Sequence, residues 1–394
     1  MVLLFSALMS FVCKGAINPC LPGARGPPGP TGPPGFDAAP AGTRPSDYLF
    51  WDATHAEWEV GSDRVRLGAF SGQVAQGPAA VAVGASAGHT AQGAHAVAVG
   101  VNTGEATQGT GSVAIGNVAG QTAQGAGSVA VGFQCGTTTQ GAQAVAVGST
   151  SGTEAQGSRS VALGSNTAPG SQGDGAVAVG IAAGSVYQGA ASVAIGNYAA
   201  QGRQGSESVA IGSSTAAQSQ SGRALSIGSR TADTNQGTLS VATGKDSCRT
   251  GQAAHGVVIG PDNCIDGQGE GAVACGSSIA ATTQGPRAVA IGLQAGYFTQ
   301  GAGAIAVGSR AGQVGQGDDA IAFGCLAGVR SGSSDPQPPH SIVLSAMGAG
   351  LQPPLASSCV IAPVRAAAGT PGPALGQLYY NPTTKELAYF IAPV

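Results

Sequence analysis

The stretch that decides the fold is "TAQGAHAVAVG", Thr90 to Gly100. It returns with small changes sixteen residues later and keeps returning through most of the 394-residue chain. Gln stands at Gln76, Gln92, Gln108, Gln124, Gln140, Gln156, Gln172, Gln188, Gln204, Gln220, Gln236, Gln252, Gln268, Gln284, Gln300 and Gln316. Gly follows eight positions after each of them, from Gly84 to Gly324. No repeat in this span has gained or lost a residue, so the pattern is read as sixteen coils of sixteen residues.

The segment before each strict Gly, such as "AVAVG" or "SVAIG", reads as a strand, in which side chains alternate between two faces. One face carries Val81 and Val83, Val97 and Val99, Val113 and Ile115, and their successors, almost all Val, Ile or Leu. The other carries Ala80, Ala82, Ser112 and Ala114, with Val258 as its largest exception. Small residues suit the flattened interior of a narrow coil. The branched face then needs a partner from outside the coil, and no amphipathic helix in the sequence supplies one. The expected fold is an all-β parallel β-roll, or solenoid, over 65–332. Its Val face is the core of a homotrimer. The Gln column is expected to form a structural amide ladder of the kind identical side chains make in stacked strands. The strict Gly marks a turn that needs positive φ or close backbone approach. The position three after Gln holds His95, Arg159, Glu207 and Arg287, and this variety marks it as solvent-facing.

Outside the repeats the chain changes character. Residues 1–22 begin with the apolar run "MVLLFSALMSFVC", which reads as either a cleaved signal or a retained anchor. Residues 23–35, "GARGPPGPTGPPG", are collagen-like Gly-X-Y triplets, and only Gly fits the axis of a three-chain polyproline helix. A linker and hairpin occupy 36–64, and a C-terminal β module is expected over 333–394. Leu49-Phe50-Trp51-Asp52 aligns with Leu378-Tyr379-Tyr380-Asn381, and Glu57 with Glu386. One hairpin motif is thus used twice, bracketing the roll. Trp51, Trp58, Tyr379 and Tyr380 are expected to cap its ends, with a receptor pocket as the other use for these rings.

Composition excludes several function classes. Charged residues make up 9% of the chain and its net charge is -3, with the basic residues scattered. No basic stripe is present to neutralise phosphates, so no nucleic-acid partner is expected. The cysteines match no metal-ligand spacing, and the aspartates are too few for a calcium-binding roll. Neither a metal nor a cofactor is expected. His55, His89, His95, His255 and His340 have no partner constellation for catalysis, so the chain is read as a non-enzyme. Cys248 and Cys264 share one column on consecutive coils, within reach of a disulfide. Two buried thiols are the alternative.

The strands resemble the head repeats of trimeric autotransporter adhesins, although those repeats run shorter and end in a membrane anchor not matched here. Gly-X-Y triplets, an "LFWD" hairpin, Gln-Gly repeats and the tail "SIVLSA" to "LYYNPTTKELAY" resemble, in that order, collagen-containing repeat proteins of large DNA viruses. That resemblance covers residues 23–394. It implies a trimeric fibre on the virion surface, joined to a capsid component at its N-terminal end and facing a host surface glycan or protein. The collagen-like segment has no Lys at Y, and Asn381-Pro382-Thr383 is blocked as a glycosylation acceptor by its Pro. A secreted cellular adhesin head and an ice-binding β-solenoid are the alternatives. The latter would want a regular Thr column, and Thr here is irregular.

Overall fold

The computed structural model describes residues 40–363 except 53–54, 62, 264–266, 280–281 and 330–333, together with Thr383 and two C-terminal strands. The apolar N-terminal run, the collagen-like triplets and Cys264 lie outside the described residues. The chain forms two compact units, Met1–Ser62 and Asp63–Val394.

The second unit is a parallel β-solenoid. Its main sheet has nineteen strands, from Val65–Leu67 to Cys359–Ala362, each hydrogen-bonded to the strand one coil before and after. As far as Ile321 the register is one whole sixteen-residue repeat, as in Val97↔Val113 and Val99↔Ile115. A second, narrower ladder forms on the return leg, where every neighbouring Gln pair from Gln92 to Gln337 makes a parallel bridge. The ladder continues through the turns, where Asn102 N–H reaches the Ala85 carbonyl at 2.9 Å and Gly104 N–H the Ala119 carbonyl at 2.9 Å. Almost every backbone polar group of a coil therefore finds a partner one coil away, which is what lets so short a strand persist.

The sheet does not stop at residue 332. Ile321 pairs with Ile342 and Ile342 with Cys359, so the solenoid has about eighteen coils and takes in the first part of the expected C-terminal module. The sixteen-residue period is broken at the last two steps: Ile342 follows Ile321 by twenty-one residues and Cys359 follows Ile342 by seventeen. Gln337 follows Gln316 by twenty-one residues, five more than a repeat, yet Gln316 Nε2 still donates to Gln337 Oε1 at 3.2 Å.

Faces divide as the alternation requires. Ala80, Ala82, Ala98, Ala114 and Ala130 are fully buried inside the coil. Where Ser replaces Ala, its hydroxyl turns back to the backbone, as Ser112 Oγ does to the Gly109 carbonyl at 2.7 Å. The Gln side chains also lie inside. Gln140 Nε2 donates across the coil to the carbonyls of Val129 (2.8 Å) and Ala144 (3.3 Å), and up the stack to Gln156 Oε1 (3.1 Å). Amide-to-amide bonds run unbroken from Gln204 to Gln337. Nearer the N-terminus the run is segmented, and the buried Oε1 atoms of Gln92, Gln124, Gln172 and Gln204 accept no bond from the described residues. At its first coil the stack is capped by Arg66, whose Nε donates to Gln76 Oε1 at 2.7 Å.

The ladder therefore holds the two legs of each coil together as well as coil to coil. Replacing Gln140 by Leu keeps the volume but strips a donor from Val129, Ala144 and Gln156, and the acceptor from Gln124. The expected loss is about 2 to 4 kcal/mol, because buried acceptors left without donors forfeit their desolvation free energy. A urea melt of Gln140→Leu with the same midpoint as the parent would show that the amides are not structural.

The position three after Gln is solvent-facing, and it also carries a backbone demand. His95, Gln143, Arg159, Glu207, Arg223 and Arg287 all have φ between 58° and 60°, and Gly111 and Gly127 occupy the same place at 64° and 65°. A second left-handed column stands two after the strict Gly, at Asn102 (φ 53°), Val118 (φ 61°) and Asp246 (φ 55°). The solenoid turns its corners at these residues.

Candidate functional site

A long surface feature of the described residues is the outward face of the main sheet. Val81, Val83, Val97, Val99 and Val113 stand on it half-buried, and Ile115 is exposed. Ile195, Ile227, Ile259, Ile291, Phe323, Leu344 and Ile361 continue the exposed column. From Val81 to Ile361 neither branched column holds a charged residue, and the departures from aliphatic or aromatic are Thr243, Cys275 and Cys359. Scattered exposed apolar side chains are ordinary, whereas a contiguous stripe running the length of a fold is a candidate interaction surface.

The return leg presents a mixed surface of Thr107, Thr139, Tyr187 and Arg203. Gly251 and Gly267 open a shallow groove there of about 420 Å³, lined by Asn235, Thr283 and Gln amides and by no charged group. The histidines stay apart. His95 and His255 occupy the left-handed solvent column, His255 sits 3.7 Å from Glu270 and His340 3.7 Å from Asp319, and His89 meets Gln73 at 2.9 Å.

The N-terminal hairpin pairs Leu49–Asp52 with Glu57–Val60 in antiparallel register. Trp51 and Trp58 face each other across the strands, ring centroids 5.6 Å apart and edge to face. Gln377–Tyr380 and Leu387–Phe390 form the second hairpin, with Tyr380 opposite Leu387 and Leu378 opposite Tyr389. Under the sequence alignment these are the equivalents of Trp51 opposite Trp58 and Leu49 opposite Val60. The two copies of the motif therefore share one register. Tyr379 and Tyr380 lie in the second hairpin's first strand.

On the face of the first hairpin away from the tryptophans, the turn brings three groups together. His55 Nδ1 lies 3.1 Å from Asp52 Oδ2 and 3.4 Å from Glu59 Oε1. The hydrogen bond to Asp52, with the negative charge of Asp52 and Glu59, raises the imidazole above its ordinary pKa. His55 thus has partners where the sequence analysis expected none of the histidines to have a constellation; the signal was the spacing Asp-x-x-His-x-x-x-Glu, read through the turn between two strands. It also missed Gln337, whose signal was a Gln four residues before Ser341 and a β-branched run, as in the regular coils.

Cys135 sits inside the coil with its thiol toward the Val131 carbonyl at 3.3 Å, and burial pushes the thiol's pKa up. Cys325 is exposed. Cys248 is buried in a left-handed position with φ 50°. In the native protein at pH 8, Cys325 is expected to react with a maleimide and Cys135 to react on the order of a hundredfold more slowly, since only exposed thiolate attacks. Peptide mapping after timed labelling reads this directly, and equal labelling of the two would contradict the burial of Cys135. Searches of protein families, curated proteins and solved structures found no match.

Proposed function

We propose that this chain is a structural rod: one strand of a homotrimeric fibre on a virion surface, joined at its N-terminal end to a capsid component and meeting a host surface glycan or protein. The observation that carries this reading is the uncharged Val and Ile face, which runs through the solenoid with nothing of this chain among the described residues to cover it. A second copy of the same face is its natural partner, because both would be straight, apolar and of equal length. Three copies rather than two follow from the collagen-like triplets, whose glycines need a three-chain axis. At about 4.8 Å per strand, nineteen strands make a rod of about 85 Å, the geometry of a spacer. The irregular return leg, where Thr107 and Thr139 alternate with Ala123, Ala155 and Tyr187, gives no support to ice binding.

Two measurements bear on this reading. Antibodies raised against the solenoid are expected to decorate intact particles of the source virus, and a chain missing from purified particles would remove the virion assignment. Cys275 stands in the branched column opposite Ile259 and Ile291 and is half-buried in the single chain. In the trimer it is expected to be protected from maleimide while Cys325 labels. Rapid labelling of native Cys275 would place that face in solvent.

A further inference from the structure

We propose that the turn of the N-terminal hairpin is a binding site for a divalent transition metal, Zn²⁺ by preference, with Asp52, His55 and Glu59 as its protein ligands. The three donor atoms all lie within 4.8 Å of one another. Ligand atoms on a tetrahedral centre with bonds of about 2.0 to 2.1 Å stand about 3.3 Å apart, and the His55–Asp52 and His55–Glu59 separations are 3.1 and 3.4 Å. Two edges of the tetrahedron thus exist before a metal arrives. One imidazole nitrogen with two carboxylate oxygens suits Zn²⁺, whereas Ca²⁺ and Mg²⁺ favour oxygen alone. Two carboxylates also balance the dication's charge. Side-chain exposures of 20% for Asp52, 63% for His55 and 37% for Glu59 leave the fourth position open to water.

The hairpin has a physical use for such an ion. The described residues of its unit supply only two four-residue strands, and an isolated two-stranded hairpin is marginal in water. A metal joining the first strand, the turn and the second strand closes the hairpin from its end, as small modules short of core commonly require. The aligned positions of the second hairpin are Asn381, Thr384 and Ala388, which cannot form the same set. The site belongs to the N-terminal copy.

The chain carries its own reporter, since its two tryptophans are Trp51 and Trp58, each next to a ligand in sequence. With accessible thiols alkylated, Co²⁺ titrated into the full chain is expected to quench tryptophan emission saturably, and Zn²⁺ to displace it. His55→Gln and Glu59→Gln should each weaken binding at least about tenfold, since even groups behind a ligand change affinity by 10- to 100-fold. Glu57→Gln, on the same strand but outside the trio, should leave it unchanged. Metal-free emission spectra matching the parent would show that each variant keeps its hairpin. Three outcomes would overturn the site: no saturable quenching below millimolar metal, undiminished affinity in His55→Gln, or equal weakening by Glu57→Gln and Glu59→Gln.

Discussion

Gly100→Ala is expected to unfold the chain's stability far more than Gly111→Ala, although the two glycines are eleven residues apart and both have positive φ. At Gly100 φ is 135°, and a Cβ would stand 2.7 Å from the Thr103 hydroxyl and closer still to the Gly116 carbonyl oxygen. The Gly116 carbonyl cannot retreat, because Gly116 is the same residue one coil on and is held by its own ladder. At Gly111 φ is 64° and nothing lies within 4 Å of the added carbon. The same column accepts Arg159 and Glu207 with φ of 58° and 59°. Gly100→Ala should therefore cost about 4 kcal/mol or more, the range reserved for outright steric or backbone conflict. Gly111→Ala should cost about 1 kcal/mol, the left-handed penalty less the entropy that Ala removes from the unfolded chain. Urea midpoints of the two variants test this, and similar midpoints would mean that coil contact is not what fixes the Gly column.

Ile211→Asp is expected to abolish the proposed trimer while leaving the coil intact. Ile211 lies midway along the branched face, half-buried in one chain, with Ala210 filling the interior beside it. In the single solenoid the new carboxylate points outward and stays hydrated. In a trimer packed through this face, three carboxylates meet near one axis without a cation in either branched column to pair them. Each costs several kcal/mol to desolvate unpaired, more than a local contact restores. Thr139→Asp, exposed on the return leg, supplies the control and should remain trimeric. If Ile211→Asp sediments and melts as the parent does, the face is not an interface.

Much of this architecture was legible in the repeat, and for a physical reason. A solenoid stacks each residue on its own equivalent, so any demand of the interior appears in sequence as a column. The buried Ala, the interior Gln and the strict Gly are all such demands. What escaped were features that leave side chains free or break the period. Arg159 and Glu207 vary because their side chains meet water, and that variety concealed the left-handed backbone beneath them, though the glycines at 111, 127, 175, 271 and 303 in the same column hinted at it. Gln337 escaped because it stands twenty-one residues after Gln316 instead of sixteen, while the strands on either side keep their pairing. The Asp52, His55 and Glu59 cluster escaped for a different reason. It is made by one turn folding back on itself, and no repeat exists to reveal it. The two hairpins, by contrast, were legible as one motif, and their shared register follows from the aligned positions.

In the proposed fibre the apolar face is covered by copies of itself. Multi-angle light scattering on residues 38–394, which lack the collagen-like triplets, tests this without help from the triple helix. The expected result is a mass three times that of the chain, held at dilution and lost in Ile211→Asp. A soluble, cooperatively folded monomer would contradict it, and would mean that the Val and Ile columns stand in water on a self-sufficient solenoid.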